Sequence, residues 1–246
     1  MVKKNVVKLP SYDEVPLNPD QYYTIAPYDE TNSKYKKYDS EIGLPENDII
    51  VFGPEYLTTR HTHFSLRQGF SKYTSHTLLI YDNENNEVFN CKIKNNYTIV
   101  LYNKHKNALM TSFVDPSNYY KSIYILKGKK KKGHIIATLK SKSGIFDSTK
   151  IYNVNFLNQN TGTQEELIIK VSNYKYFEIF CNEEGENETK ICKITSKRNE
   201  YTIEVAPRVD YLFMISVCNA FSLRKPVAYI WIWIMEYIIC FISLQN

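Results

Sequence analysis

The residues of this chain that point most directly to chemistry are a run of lysines, Lys127-Gly-Lys-Lys-Lys-Lys-Gly133. Glycines bound the run and strand-like segments lie on either side, so we expect a hairpin turn that projects several ammonium groups. Such a turn would bind acidic phospholipid headgroups, at about 1 kcal/mol per lysine near the membrane surface. The same charges also suit nucleic-acid phosphates, or form a solvated turn in a lysine-rich protein. The residues predicted to bind lipid are Lys127, Lys129, Lys130, Lys131 and Lys132.

Two histidines, His61 and His63, are spaced so that both imidazoles lie on one face of a strand, as in a metal-binding pair. No third ligand is evident, because His76, His105 and His134 fall in separate segments. We therefore expect solvated or hydrogen-bonded histidines, and neither a metal nor a cofactor. The five cysteines lack the Cys-x-x-Cys spacing of zinc sites and give no indication of a disulfide framework.

Catalytic arrangements are not recognisable in the sequence. The carboxylate pairs Glu165-Glu166 and Glu183-Glu184 lie in polar, turn-like stretches, and there is no nucleophile elbow, metalloprotease helix or Cys–His arrangement. We predict a protein that is not an enzyme and has no catalytic residues. The net charge of +5 permits attraction to acidic membranes, and we expect no nucleic-acid partner. The N-terminal residues lack the apolar core of a secretory signal, so the expected location is the cytoplasm.

The segments that must position these residues are short and strand-like. Apolar residues alternate with polar ones over five to nine positions, and polar turns separate the runs without intervening helical periods. This pattern predicts an antiparallel meander that closes as a barrel or packs as a sandwich. The predicted strands are 48–52, 74–81, 88–93, 96–102, 120–126, 134–139, 148–156, 166–171, 176–181, 190–195 and 200–205.

One segment, from Pro207 to Phe221, departs from the strand pattern and has the length of about four helical turns. Pro207 and Asp210 suit a helix start. Apolar side chains surround the segment, interrupted only by Asp210, Ser216 and Asn219, so we predict a helix that is buried on all sides inside the barrel. The residues predicted to form the core of this helix are Val209, Asp210, Tyr211, Phe213, Met214 and Val217.

The same region carries a resemblance to a known family. Its sequence is Tyr201-Thr-Ile-Glu-Val-Ala-Pro-Arg-Val-Asp-Tyr-Leu-Phe-Met-Ile-Ser-Val-Cys218, and it resembles the last strand and central helix of LURP-one-related proteins. There a hydrophobic alternation precedes Pro, any residue, Val-Asp and an apolar helix. Weaker similarities at 74–93, 123–140 and 151–156 extend the resemblance to roughly residues 48–221.

The resemblance implies the fold shared by tubby C-terminal domains and phospholipid scramblases, a closed antiparallel β-barrel of about twelve strands around a central hydrophobic C-terminal helix. That superfamily contains phosphoinositide binders and proteins named for lipid scrambling. The implied function is a non-catalytic interaction with acidic phospholipids at membranes. A soluble scaffold or regulatory protein that binds other proteins is the alternative, and a scrambling-related activity is a further one.

Three parts of the chain are predicted: an irregular Pro- and Tyr-rich lead-in over 1–47, the barrel over 48–223, and an apolar tail over 224–246. The lead-in is either a solvated segment or, at Leu9–Pro16, a site for a protein partner. In the tail, residues 227–244 contain one charge and would span about 27 Å as a helix. Three interpretations stay open: a membrane anchor, an incorrectly translated chain end, and a packed terminal element.

Overall fold

The computed structural model describes residues 42–68, 77–95, 98–114, 122–129, 133–143, 149–172, 176–181, 188–197 and 200–222. These residues form twelve β-strands and one α-helix. The elements are β1 (Thr62–Gln68), β2 (Thr77–Tyr81), β3 (Glu87–Asn95), β4 (Thr98–Asn103), β5 (Ala108–Val114), β6 (Ser122–Lys127), β7 (Ile135–Ser141), β8 (Thr149–Asn158), β9 (Thr163–Ser172), β10 (Tyr176–Cys181), β11 (Thr189–Lys197), β12 (Glu200–Val205) and α1 (Tyr211–Ser222).

The strands form a closed barrel in which each pairs antiparallel with its neighbours in sequence. The ring closes between the first and last strands, where Thr62 lies opposite Val205 and Arg67 opposite Glu200. Closure leaves none of these strands with an unpaired edge, which is the usual way in which a meander of this size avoids aggregation. The predicted fold, a closed antiparallel barrel with one C-terminal helix, is confirmed.

Alternation along the strands decides which residues form the core. In β6 and β7, Ile123 lies opposite Leu139 and Ile125 opposite Ala137, and all four side chains are buried. Tyr124 points outward between the two isoleucines. The same period of two runs around the ring, so the barrel encloses a continuous apolar interior.

Helix α1 fills that interior. Tyr211 stacks on Phe64 of β1, and Phe213 packs on Phe156 of β8, each with ring centroids 5.2 Å apart. Because β1 and β8 lie on opposite sides of the ring, the helix contacts facing walls of the barrel. Each helix residue from Tyr211 to Phe221 is buried, as a helix that is apolar all round requires.

The helix begins later than the sequence pattern predicts, at Tyr211 rather than at Pro207. Arg208 has a φ of 68°, a left-handed conformation that ends any regular element. Asp210 is the N-cap, since its Oδ1 accepts the backbone N–H of Phe213 at 2.9 Å.

Residues 42–60, here called the cap segment, close the end of the barrel at which α1 begins. Ile49 forms a parallel bridge with Val209, and Leu57 forms an antiparallel bridge with Asp210. The predicted strand over 48–52 is therefore wrong: it pairs only through Ile49. The next backbone N–H groups in this run bind side-chain oxygens instead of a neighbouring strand.

Part of the predicted lead-in belongs to this closure. The backbone N–H of Gly43 donates to the carbonyl of Lys190 in β11 at 2.9 Å, and Arg208 donates to the carbonyls of Pro45 and Glu46 at 3.2 Å. Residues 42–47 thus contact the barrel directly. Residues 1–41 and the predicted tail from 224 lie outside the described residues.

Candidate functional site

Two neighbouring hairpin turns at the capped end carry lysines and no acidic residue. The β4–β5 turn contains Lys104 and Lys106, and the β6–β7 turn follows Lys127 and contains Lys129. The turns are adjacent because β5 pairs with β6, and the backbone N–H of Gly128 donates to the carbonyl of Leu109 at 2.8 Å. We call the four exposed lysines, Lys104, Lys106, Lys127 and Lys129, the basic rim.

Local sequence explains both turns. Asn103 Oδ1 accepts the backbone N–H of Asn107 at 2.9 Å, so the side chain replaces a backbone partner and tightens the β4–β5 turn. In the β6–β7 turn Gly128 has a φ of 76°, which favours glycine. A Cβ on Gly133 would lie 2.5 Å from the carbonyl oxygen of Lys127, so this position also requires glycine. The β4–β5 turn and the described ends of the β6–β7 turn are therefore held in defined shapes.

The structure places the predicted lipid-binding lysines as follows. Lys127 and Lys129 belong to the basic rim, whereas Lys130, Lys131 and Lys132 lie outside the described residues. Lys127 also has a structural contact, because its Nζ donates to the carbonyl of Phe52 in the cap segment at 2.8 Å. The basic rim is thereby tied to the closed end of the barrel.

Asp210 is the centre of that closed end. Its carboxylate is fully buried, and its Oδ2 accepts the backbone N–H groups of Val51 at 3.1 Å and Phe52 at 2.7 Å. Its Oδ1 caps the helix through Phe213. Burial raises the pKa of Asp210 to about 6. The backbone N–H groups that it accepts lower the pKa, but their effect is smaller than that of burial. One side chain therefore joins the cap segment to the start of the helix.

The raised pKa of Asp210 predicts that stability depends on pH. The folded state binds the proton more tightly than the unfolded chain, whose Asp has a pKa near 3.8, so the contribution of Asp210 is greatest below pH 4 and falls as the pH rises to 6. The stability difference between the wild type and Asp210→Asn, measured as the unfolding free energy of the first minus that of the second, should decrease by about 2 kcal/mol between pH 4 and pH 7. Urea unfolding at both pH values measures this difference, and an increase with pH would contradict a raised pKa.

A second buried polar residue, Asn158, holds the cap segment from the barrel wall. Its Oδ1 accepts the backbone N–H of Ile50 at 3.1 Å, and its Nδ2 donates to the carbonyl of Asp48 at 2.9 Å. Arg208 adds an ion pair with Asp48, 2.6 Å between Nε and Oδ1. Nothing in the sequence pattern singles out Asn158, because it ends β8 beside an ordinary polar turn.

The histidine pair is where the sequence places it, at the start of β1. The ring centroids of His61 and His63 are 5.9 Å apart. Burial lowers the pKa of His61, and burial together with the neighbouring His61 lowers the pKa of His63 to about 4. The described residues contain no group of three or more His, Cys, Asp or Glu side chains that would hold a metal ion.

The thiols of Cys91, Cys181, Cys192 and Cys218 are free and buried. Burial raises the pKa of Cys181 to about 11 and that of Cys218 to about 12. A thiol is a poor nucleophile when it is protonated, so at neutral pH these side chains act as packing groups.

The predicted core residues of the helix are all buried. Two polar residues of α1 have partners inside the barrel: Ser216 Oγ donates to the carbonyl of Leu212 at 2.6 Å, and Asn219 Nδ2 to Cys91 Sγ at 3.0 Å. The residues Val209, Asp210, Tyr211, Phe213, Met214 and Val217 are each at most 3% exposed.

Among the described residues, no helix combines the length and the apolar character that crossing a membrane requires. The segment 227–244, for which the sequence leaves an anchor open, is outside those residues.

Two comparisons with known proteins found a match. The family model described as LURP-one-related matches residues 62–222. Among solved structures, the X-ray structure of a protein from Arabidopsis thaliana is similar, with a TM-score of 0.49 and 17% sequence identity over 72% of this chain and 97% of that chain. None of the curated proteins matches the sequence.

Proposed function

This chain belongs to the LURP-one-related family, and we propose that it is a non-catalytic barrel protein that binds acidic phospholipid surfaces through its basic rim. The observation that carries the proposal is the adjacency of two lysine-bearing turns at one end of the barrel. Each lysine held near an anionic membrane contributes about 1 kcal/mol of attraction. Lysines on two adjacent turns are able to approach a planar surface together, which those of a single turn would not achieve.

The chemistry of the rim favours a lipid surface over nucleic acid. The turn sequences Lys104-His-Lys-Asn107 and Gly128–His134 contain no Tyr, Phe or Trp on which bases would stack. Single-stranded nucleic acids are typically bound by grooves that combine such aromatics with positive charge. The lysines here stand on projecting turns, and projecting turns meet a flat array of headgroups without a groove.

Removing charge from the β6–β7 turn tests the proposal. Replacing Lys129, Lys130, Lys131 and Lys132 by Gln should lower partition onto acidic vesicles at least tenfold, because about four ammonium groups are lost. The salt dependence of binding should flatten. Stability should change by less than about 1 kcal/mol, since exposed charges contribute little to folding. Vesicle sedimentation at several salt concentrations, with thermal melting alongside, measures these quantities.

A matched control removes the same charge elsewhere. Lys92, Lys94, Lys140 and Lys142 are exposed, and they lie on β3 and β7 or just after β7, away from the capped end. Their replacement by Gln should lower binding much less, because these side chains do not face the membrane in the proposed orientation. Equal losses of vesicle binding in the two variants would show that the effect depends only on net charge. Binding that both variants retain in full would overturn the basic rim as the binding surface, and a wild type that does not bind acidic vesicles would favour the alternative, a soluble scaffold.

A further inference from the structure

Two of the exposed apolar side chains in the described part of the protein lie on neighbouring strands, β7 and β8, at the capped end. Ile135 is 56% exposed and Leu157 is 47% exposed. Ala137 opposite Phe156 is the first pair of the β7–β8 ladder, so Ile135, two residues earlier, and Leu157, one residue later, both lie at the rim. About half of each aliphatic side chain is therefore exposed to water.

One of the two side chains, Ile135, follows directly on the basic rim. Ile135 lies opposite Leu126, and the next residue, Lys127, donates its backbone N–H to the carbonyl of His134 at 3.1 Å. Ile135 is thus the first strand residue after the lysine-bearing turn. A surface that binds Lys127 and Lys129 would therefore also come close to the side chain of Ile135.

We propose that Ile135 and Leu157 insert into the headgroup boundary of acidic membranes when the basic rim docks. The inference rests on the proposed function and deepens it, because it adds an apolar component that salt does not screen. Charge brings the capped end of the barrel to the surface. Burial of the two side chains then holds it there, since aliphatic surface leaves water for the interfacial region.

A lipid surface fits the pair better than a protein partner does. A stable protein interface buries about 800 Å² on each side around an apolar core, whereas two half-exposed side chains, one of them next to a lysine-bearing turn, offer only a small fraction of that area. Lysine is also depleted in such cores. An anionic bilayer complements the lysines over the whole rim and requires only shallow insertion from the apolar residues.

The test uses the full chain with Ile135→Ser and Leu157→Ser together, and vesicles of phosphatidylserine mixed with phosphatidylcholine or of phosphatidylcholine alone. The control is Leu44→Ser, which removes a side chain that is 59% exposed, beside Gly43 and its contact to β11, so that β9 and β10 lie between it and the strands of the pair. Partition is measured separately onto acidic and onto neutral vesicles, because an apolar tail would bind both alike.

We expect the double variant to lose about tenfold in partition onto the acidic vesicles, with the same relative loss at low and high salt. Leu44→Ser should bind as the wild type does, and all variants should melt alike. Unchanged partition of the double variant, beside a loss for the four-lysine variant, would overturn the insertion and leave the proposed function standing. A wild type that binds acidic and neutral vesicles equally would overturn both.

Discussion

Replacing Asp210 by alanine should destabilise the barrel by about 4 kcal/mol at pH 7. The substitution leaves the buried backbone N–H groups of Val51, Phe52 and Phe213 without the acceptor that they have at 2.7 to 3.1 Å. Each buried donor without a partner costs about 1–3 kcal/mol. Loss of the carboxylate also relieves the cost of burying its charge, so the expected effect is smaller than the sum of the largest penalties.

Urea unfolding of Asp210→Ala beside Asp48→Ala measures this loss. Asp48 belongs to the same capped end and carries the same charge, but its ion pair with Arg208 is partly exposed, so its removal should cost less than about 1 kcal/mol. The two variants share the change in net charge and differ in burial. Similar unfolding free energies for both would show that Asp210 does not hold the capped end together.

Hydrogen exchange should locate the effect of Asp210→Ala. The side chain joins the cap segment, through Val51 and Phe52, to the first turn of α1, through Phe213. Amides at both places should lose protection together, because one acceptor serves them all. Amides in strands far from the capped end, such as β10, should lose protection only as far as global stability falls.

Strands with a clear alternation were predictable almost to the residue. The predicted segments 176–181 and 200–205 coincide with β10 and β12. β1 is indicated only by its histidines, because only two apolar residues, Phe64 and Leu66, mark its inner face. Alternation is therefore a sufficient signal where three successive inward positions are apolar, and a weak one where only two are.

β5 has no clear sequence signal, and the reason is chemical. Thr111 and Ser112 are fully buried in it, and two successive polar residues conceal the alternation. Their hydroxyl groups bond inside the fold, Thr111 Oγ1 to the carbonyl of Gly128 at 2.7 Å and Ser112 Oγ to Met110 Sδ at 3.6 Å. Only the folded partners make such burial acceptable, so the sequence alone does not reveal it.

The candidate site, too, was only partly predictable from the sequence. The lysine turn after β6 is visible in the sequence, but its adjacency to Lys104 and Lys106 depends on the pairing of β5 with β6. Asp210 is recognisable as a residue that suits a helix start, yet its bond to Phe52 spans 158 positions in the sequence. Local patterns predict which residues begin elements or project from turns. They do not predict which distant backbone group a buried carboxylate binds.

Replacing Met214 by aspartate should cost at least 5 kcal/mol, enough to unfold a barrel of ordinary stability. Met214 is fully buried near the start of α1, in a helix whose neighbours on all sides are strands of the barrel. Unlike Asp210, a carboxylate at this position lies beyond the N-cap, where the backbone N–H is already bonded to the carbonyl of Asp210 at 3.2 Å. Its charge would have to be neutralised or carried into the core without a partner.

Two controls separate burial from the other changes in Met214→Asp. Met214→Leu conserves volume and should cost less than about 1.5 kcal/mol. Leu44→Asp introduces the same charge at a side chain that is 59% exposed and should leave the unfolding free energy nearly unchanged. Circular dichroism and urea unfolding of the three variants test the enclosed helix. If Met214→Asp unfolded at the same urea concentration as Leu44→Asp, position 214 would have to be open to water, and a helix enclosed by all twelve strands would be ruled out.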